Sequence, residues 1–154
     1  MFAVLLLGGN VGDLRATFSV ARERICSVCG SLVWRGEESS SRAWGYDSDR
    51  FYLNQVVIIS SELGGLALLD CLESIELSLG RVDKGGLHWA DEDRCYSDRT
   101  IDIDILYMFD ESGSLAYSDE RLVVPHPRIS QREFVLDLLR EVDFPLFVRV
   151  FSKQ

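Results

Sequence analysis

Positive charge is scarce in this chain: 16 lysines and arginines stand against 25 aspartates and glutamates, a formal net charge of −9 over 154 residues. A surface of that sign offers no general electrostatic grip on nucleic acid or anionic lipid. An anionic ligand would need metal ions or a local cluster of arginines. Long apolar runs are missing as well. The opening MFAVLLLGGN holds only a short one, without a basic leader. It reads as a buried first strand, not as a signal peptide or a membrane span, so a cytoplasmic location and no membrane partner are expected. Cys26 and Cys29 make a C-x-x-C, but no second such pair completes a tetrahedral set, and the cysteines are expected as reduced thiols. Repeats, low-complexity tracts and linkers are absent, so residues 1–154 are expected to form a single domain with one substantial core.

What is present centres on residues 99–107, RTIDIDILY. Ile101, Ile103 and Ile105 alternate with Thr100, Asp102 and Asp104, the period-two pattern of a strand with one buried face. Asp102 and Asp104 therefore point the same way, separated by about 6.6 Å along the strand, and their carboxylates can hold hard cations between them. Two bare anions so close repel unless a cation or hydrogen bonds compensate. A lone D-x-D is more often an ordinary solvated strand face. Arg99 just before the pair, and more acid than the strand requires, keep the metal reading beside the plain one.

Along the rest of the chain, residues 2–7 are a strand and GGNVGD a turn of small residues that opens a helix. That helix carries the stripe Leu14, Phe18, Ala21, Ile25 and Val28 and is stopped by Gly30. The turn fits neither a Walker loop nor a G-x-G-x-x-G fingerprint. Residues 31–38 read as a second strand and residues 51–60, FYLNQVVIIS, as a third, rich in aromatic and β-branched residues. Between them SSSRAWGYDSDR reads as a polar surface loop of the kind that carries function. Asn54 shares a face with Tyr52, Val56 and Ile58, where an amide needs either a backbone partner or a flat heterocycle.

Leu68, Leu72, Ile75 and Leu79 mark a second helix ended by Gly80, with Glu76 at the margin of its buried stripe. Residues 82–98 show no periodicity and are acid-rich, and a connection of that length reads as a lid or binding loop. A hairpin is expected around Gly113. Ser130 with Glu133 has the spacing of a capping box, and Ile129 with Phe134 that of its staple, which predicts a third helix from Gln131 and puts His126 and Arg132 near its N-terminus. The element order strand, helix, strand, strand, helix, strand predicts a ferredoxin-like α+β sandwich, βαββαβ, with a mainly antiparallel sheet, helices on one face and an appended hairpin and helix.

Taken together, GGNVGD, FYLNQVV, IELSLGRV, DRTIDIDIL and VPHPRISQREFVL resemble, in order and over nearly the whole chain, the 6-hydroxymethyl-7,8-dihydropterin pyrophosphokinases of folate biosynthesis. The resemblance implies a soluble enzyme, a monomer without nucleic-acid partners, that transfers pyrophosphate from ATP to a reduced hydroxymethylpterin and releases AMP. By the family pattern Asp102 and Asp104 hold two Mg²⁺ ions, and Arg81 and Arg99 join them in catalysis. The nucleotide contacts it implies are Arg81, Lys84, Arg99, Ile105, Arg121, His126 and Arg132; the pterin contacts are Ser41, Ala43, Trp44, Tyr52, Asn54 and Phe134. Glu76 matches a family carboxylate of unassigned role. The chain departs from the pattern in SSSRAWG, which lacks the threonine and proline many members carry. It departs also in the segment LHWADEDRC, which looks inserted, and at Tyr96, which stands where the family has a tryptophan. The alternative reading is a catalytically impaired pterin- or nucleotide-binding protein of the same fold, with its altered lid as the cause.

Overall fold

Every residue of β1 (Phe2–Gly9) is buried, which is why its sequence reads as a continuous apolar run and not as an alternation. The structure, a computed structural model, describes residues 1–42, 50–80 and 100–142. The expected lid at 82–98 and the site candidates Ala43, Trp44, Arg81, Lys84, Tyr96 and Arg99 lie outside the described residues. On one side β1 pairs antiparallel with β4 (Phe51–Ser60), from Phe2 opposite Ser60 to Gly9 opposite Leu53. On the other it pairs antiparallel with β5 (Asp102–Asp110). With β2 (Ser31–Arg35) and β6 (Gly113–Leu115) the sheet order is β2-β4-β1-β5-β6, the arrangement expected of a ferredoxin-like sandwich. The expected hairpin around Gly113 is the β5–β6 turn, closing at Asp110 opposite Gly113.

The two faces of the sheet hold two separate cores. Ala3, Leu5 and Leu7 of β1, with Val57, Ile59, Ile103 and Ile105, pack under α1 (Leu14–Val28) and α2 (Gly65–Ser78) through Phe18, Ala21, Ile25, Leu68, Leu72 and Ile75. Val4, Leu6, Val56, Ile58, Leu106 and Phe109 face the other way, against Val135 and Leu138 of α3 (Glu133–Arg140). The appended third helix thus covers the second face of the sheet. Asp13 caps α1, its carboxylate accepting the Ala16 N–H at 3.1 Å. Gln55, a polar side chain on the α1 side, is satisfied by donating to the Gly36 carbonyl at 2.9 Å and accepting from Arg22 at 2.7 Å.

Four local expectations are corrected. The strand expected over 31–38 breaks after Arg35, and the first part of the expected loop is itself a strand, β3 (Ser39–Arg42), paired with β4 from Ser39 opposite Asn54 to Arg42 opposite Phe51. SSSR has no apolar alternation to announce it; what makes it a strand is the free edge of β4. The third helix starts at Glu133, not at Gln131. Residues Ile129–Gln131 form a 3-10 turn, Arg132 is extended (φ −118°, ψ 90°), and no side chain caps either element. Glu133 then falls in the first turn, where it complements the helix dipole. Val28 is 57% exposed, while Cys29, one residue beyond the helix, is buried in its place. Glu76, expected at the margin, is only 2% exposed.

A register shift between Val4 and Leu5 puts Tyr107 opposite Val4 and Ile105 opposite Leu5, leaving Leu106 as the extra residue of a β-bulge. The bulge reverses the phase of β5. Before it the odd positions Ile103 and Ile105 face the two-helix core; after it Met108 does so, while Leu106 and Phe109 face α3.

Two measurements follow from this packing. Ile25→Ala should cost about 2–5 kcal/mol in urea unfolding, whereas Val28→Ala, from the same helical stripe in sequence, should change stability by less than about 0.5 kcal/mol. Burial, followed by the neighbouring Cys71 and Cys26 thiols, pushes the Cys29 thiol from 9.0 up to about 12. A pKa raised on folding favours the neutral thiol. Its contribution to stability is complete below pH 9 and is lost as pH rises toward 12. Between those limits wild type should lose stability more steeply than Cys29→Ala in paired unfolding curves.

Candidate functional site

Because β1, β4 and β5 are in register, the even-numbered residues at one end of the α3 face form a small grid. Gly8 sits between Asn54 on β4 and Asp102 on β5, and Leu6 sits between Val56 and Asp104. α3 covers the apolar part of this face through Val135 and Leu138. Beyond its N-terminus the face opens into a pocket lined by Leu6, Gly8, Ser41, Arg42, Tyr52, Asn54, Asp102, Asp104, Arg132 and Phe134. Two strand spacings, about 9.6 Å, separate Asn54 from Asp102. Gly8 forms the floor between them: a Cβ there would stand 3.6 Å from Asn54 Oδ1 and 3.9 Å from Tyr52 Cδ1, narrowing the space.

The expected pairing of carboxylates is present: Asp102 and Asp104 are half-buried and face this pocket together. Arg132 reaches in from the break before α3 and stands 3.3 Å from Asp104 Oδ2, the two side chains being 11% and 16% exposed. Partial burial makes this a stronger electrostatic contact than a surface pair, at a larger cost in desolvation. Opposite, Tyr52 and Phe134 bring half-buried aromatic rings, and Asn54 is 3% exposed.

Among the described residues, the 102–106 stretch of β5 has β1 on one side and no strand on the other, since β6 pairs only from Met108 onward. Two other groups close that edge. Glu76, projecting from α2, accepts the Ile103 N–H at 2.5 Å, between the two aspartates. His126 donates its backbone N–H to the carbonyl of the bulge residue Leu106 at 2.8 Å. His126 is 4% exposed, and its Nδ1 accepts the Arg128 N–H at 3.1 Å. In the neutral ring the proton is therefore on Nε2. Ile105 lies two residues beyond Ile103, so by the alternation of an antiparallel ladder its backbone groups point to the same open edge. Its side chain is buried in the two-helix core.

Of the residues singled out from sequence, Ser41, Tyr52, Asn54, Asp102, Asp104, Arg132 and Phe134 line one pocket. Glu76 and His126 hold the outer edge of β5, the strand that carries its two aspartates. Arg121 is elsewhere: its guanidinium pairs with Asp70 at 2.6 Å and Glu73 at 3.0 Å on α2, and the hydrogen bond to Asp70 chiefly raises its pKa. The reading from sequence missed Leu6, Gly8 and Arg42. Gly8 was the most findable, a glycine ending an otherwise bulky strand, where it suggests close approach. Among the described residues no group of three or more His, Cys, Asp or Glu is assembled for a metal, and no helix is long and apolar enough to cross a membrane.

A family model described as 7,8-dihydro-6-hydroxymethylpterin-pyrophosphokinase matches residues 4–144. The 2-amino-4-hydroxy-6-hydroxymethyldihydropteridine pyrophosphokinase of Porphyromonas gingivalis is 36% identical over 140 residues, covering 90% of this chain and 88% of its own. Its namesake from Methylorubrum extorquens is 37% identical over 141 residues, 91% of this chain and 81% of its own. The mitochondrial folate synthesis bifunctional protein of Pisum sativum is 33% identical over 140 residues, 90% of this chain but 24% of its own. Among solved structures, an HPPK-DHPS in complex with substrates aligns with a TM-score of 0.56 at 13% identity, over 92% of this chain and 40% of that one; at that identity the likeness concerns the fold.

The edge contact of Glu76 is open to a direct check. Glu76→Ala leaves the buried Ile103 N–H without its acceptor and should destabilise the protein by about 1–3 kcal/mol. Glu76→Gln keeps an acceptor oxygen and should lose less. Urea unfolding of both variants, with amide exchange read at Ile103, measures the difference; equal losses would mean that the carboxylate's charge, and not its hydrogen bond, holds the edge.

Proposed function

The chain belongs to the 7,8-dihydro-6-hydroxymethylpterin-pyrophosphokinase family, and from that premise we propose that it transfers pyrophosphate from ATP to the hydroxymethyl group of 6-hydroxymethyl-7,8-dihydropterin. The single observation that carries the reading to this site is the pocket itself. An aromatic and amide wall (Tyr52, Phe134, Asn54) and an anionic pair with its arginine (Asp102, Asp104, Arg132) share one floor. A planar ring held at the first places its substituent toward the second.

In the reaction the hydroxymethyl oxygen bonds to the β-phosphorus of ATP. The bond from that phosphorus to the α–β bridging oxygen breaks, the hydroxyl proton is given up to solvent, and AMP departs. Asp102 and Asp104 suit Mg²⁺, since they offer oxygen donors only, and Mg²⁺ is commonly held by one or two carboxylates and completed by substrate phosphates. Held there as two ions, it would supply charge neutralisation at the entering and leaving oxygens. Arg132 balances Asp104 and can turn its fork of donors to a phosphate. By family resemblance Arg81, Lys84 and Arg99 join it on the triphosphate, with Arg81 and Arg99 acting in catalysis. By family resemblance the Ile105 backbone and His126 would also contact the nucleotide. Arg121 would have to leave Asp70 and Glu73 first, which makes it the most costly of these contacts. Tyr52 and Phe134 would sandwich the pterin, joined by the 41–44 segment, including Ala43 and Trp44.

The test is AMP release from ATP in the presence of Mg²⁺ and the reduced hydroxymethylpterin. Asp102→Ala and Asp104→Ala should each lower turnover by about 10²-fold or more with the native circular dichroism kept, because both carboxylates stand on the pocket face and outside either core; Asp104→Ala also gives up the Arg132 pair and should lower the unfolding midpoint. Near-normal turnover in either variant at saturating Mg²⁺ would sink the metal assignment.

A further inference from the structure

β1 faces the pocket with its even positions, and that row changes character along its length. Phe2, Val4 and Leu6 are buried in the core beneath α3, and the next position in the row, past the start of that helix, is Gly8. A fold requires glycine where a Cβ would strike backbone or where φ is positive. Gly9 meets the first condition: a Cβ there would lie 2.5 Å from the Thr100 carbonyl oxygen. Gly8 meets neither. Its φ is not among the positive ones. Beyond its chain neighbours, and among the described residues, a Cβ would meet only Asn54 Oδ1 at 3.6 Å and Tyr52 Cδ1 at 3.9 Å, which are ordinary van der Waals distances. Yet Gly8 is buried and paired on both sides, opposite Asn54 and Asp102, and glycine inside a paired strand weakens it through backbone entropy and a missing side chain. Alanine at position 8 would serve the strand at least as well, so the glycine is kept for something other than the fold.

We propose that Gly8 is a specificity-determining residue of the ring site: the flat ring of the ligand lies against the Gly8 backbone, in the space that a side chain at this position would fill. The proposal rests on the pterin reading above and deepens it. Gly8 stands in register between Asn54 and Asp102 and lines the pocket with both, so a ring that reaches from the aromatic wall toward the carboxylates has to cross it. Bare backbone lets the ring approach to van der Waals contact, whereas a methyl group would occupy that space itself. The atoms nearest the missing Cβ belong to Asn54 and Tyr52, and neither Asp102 nor Asp104 has an atom within 4 Å of it. A side chain at position 8 would therefore obstruct the ring while leaving undisturbed the carboxylates that suit Mg²⁺ and the triphosphate. Strand stability and ring binding pull in opposite directions at this one residue.

Urea unfolding and calorimetry on wild type and Gly8→Ala test this, the titrants being a non-hydrolysable ATP analogue with Mg²⁺ and, with that analogue saturating, 6-hydroxymethylpterin. Gly8→Ala should hold or raise the unfolding midpoint, weaken the pterin about tenfold or more, and leave the nucleotide analogue within about twofold. A lower midpoint for Gly8→Ala would mean that the fold itself needs glycine there, and the proposal falls. Unchanged pterin affinity would put the ring away from Gly8, and equal losses of pterin and nucleotide would mean a general distortion of the pocket; either result overturns the proposal. Wild type that binds the nucleotide analogue but no pterin would overturn the pterin reading itself, and the inference with it, a result distinct from the other three.

Discussion

Among the described residues, the strand that carries the two carboxylates of this site has a paired strand on one side only, and closing its outer edge is the constraint on which the rest depends. From Asp102 to Leu106, β1 is the one strand among the described residues that pairs with β5. Left open, its outward N–H and C=O groups would take water or another chain and let the aspartates drift. Glu76 from α2 fills one position and the His126 backbone fills another. Those two contacts draw the second helix and the 124–128 turn into the site, although neither supplies a group that lines the pocket.

The bulge at Leu106 belongs to the same device. One extra residue switches the phase of β5, so Asp102 and Asp104 face the pocket on the α3 side while Met108, an even position further on, faces the two-helix core. It also turns out the carbonyl that His126 needs. The pocket is what remains of the α3 face where α3 does not reach. Under the helix that face is apolar through Val56, Ile58 and Leu106; beyond Arg132 it turns polar, and the same strands present Asn54, Gly8 and Asp102. A late helix start is therefore part of the site. A helix beginning at Gln131 would have absorbed Arg132 into its first turn, whereas an extended Arg132 projects toward Asp104.

Much of this was legible before any coordinates. Alternation of isoleucine with aspartate in 100–105 placed both carboxylates on one face, since a strand's period is two whatever surrounds it. Phe18, Ala21 and Ile25, and likewise Leu68, Leu72 and Ile75, were recognisable as core stripes from their three- and four-residue steps. Illegible were features that depend on a partner distant in sequence. β3 is a strand because β4 has a vacant edge, and its four residues carry no pattern of their own. The capping-box spacing of Ser130 and Glu133 was real as a motif, but a 3-10 turn took up those residues.

Sequence by itself therefore determined the order βαββαβ of the main elements, most of the core stripes and the family, because these follow from local periodicity and from motifs that persist in order along the chain. Tertiary structure alone decided that Gly8 is the floor between amide and carboxylate, that Glu76 and His126 close an edge, that Arg121 is engaged by α2, and that the Asn54 amide points its oxygen inward. Each of those is a relation between residues more than a dozen positions apart. Its energy comes from a hydrogen bond or a close approach that exists only after the strands have paired, and neither composition nor spacing encodes which partner will arrive.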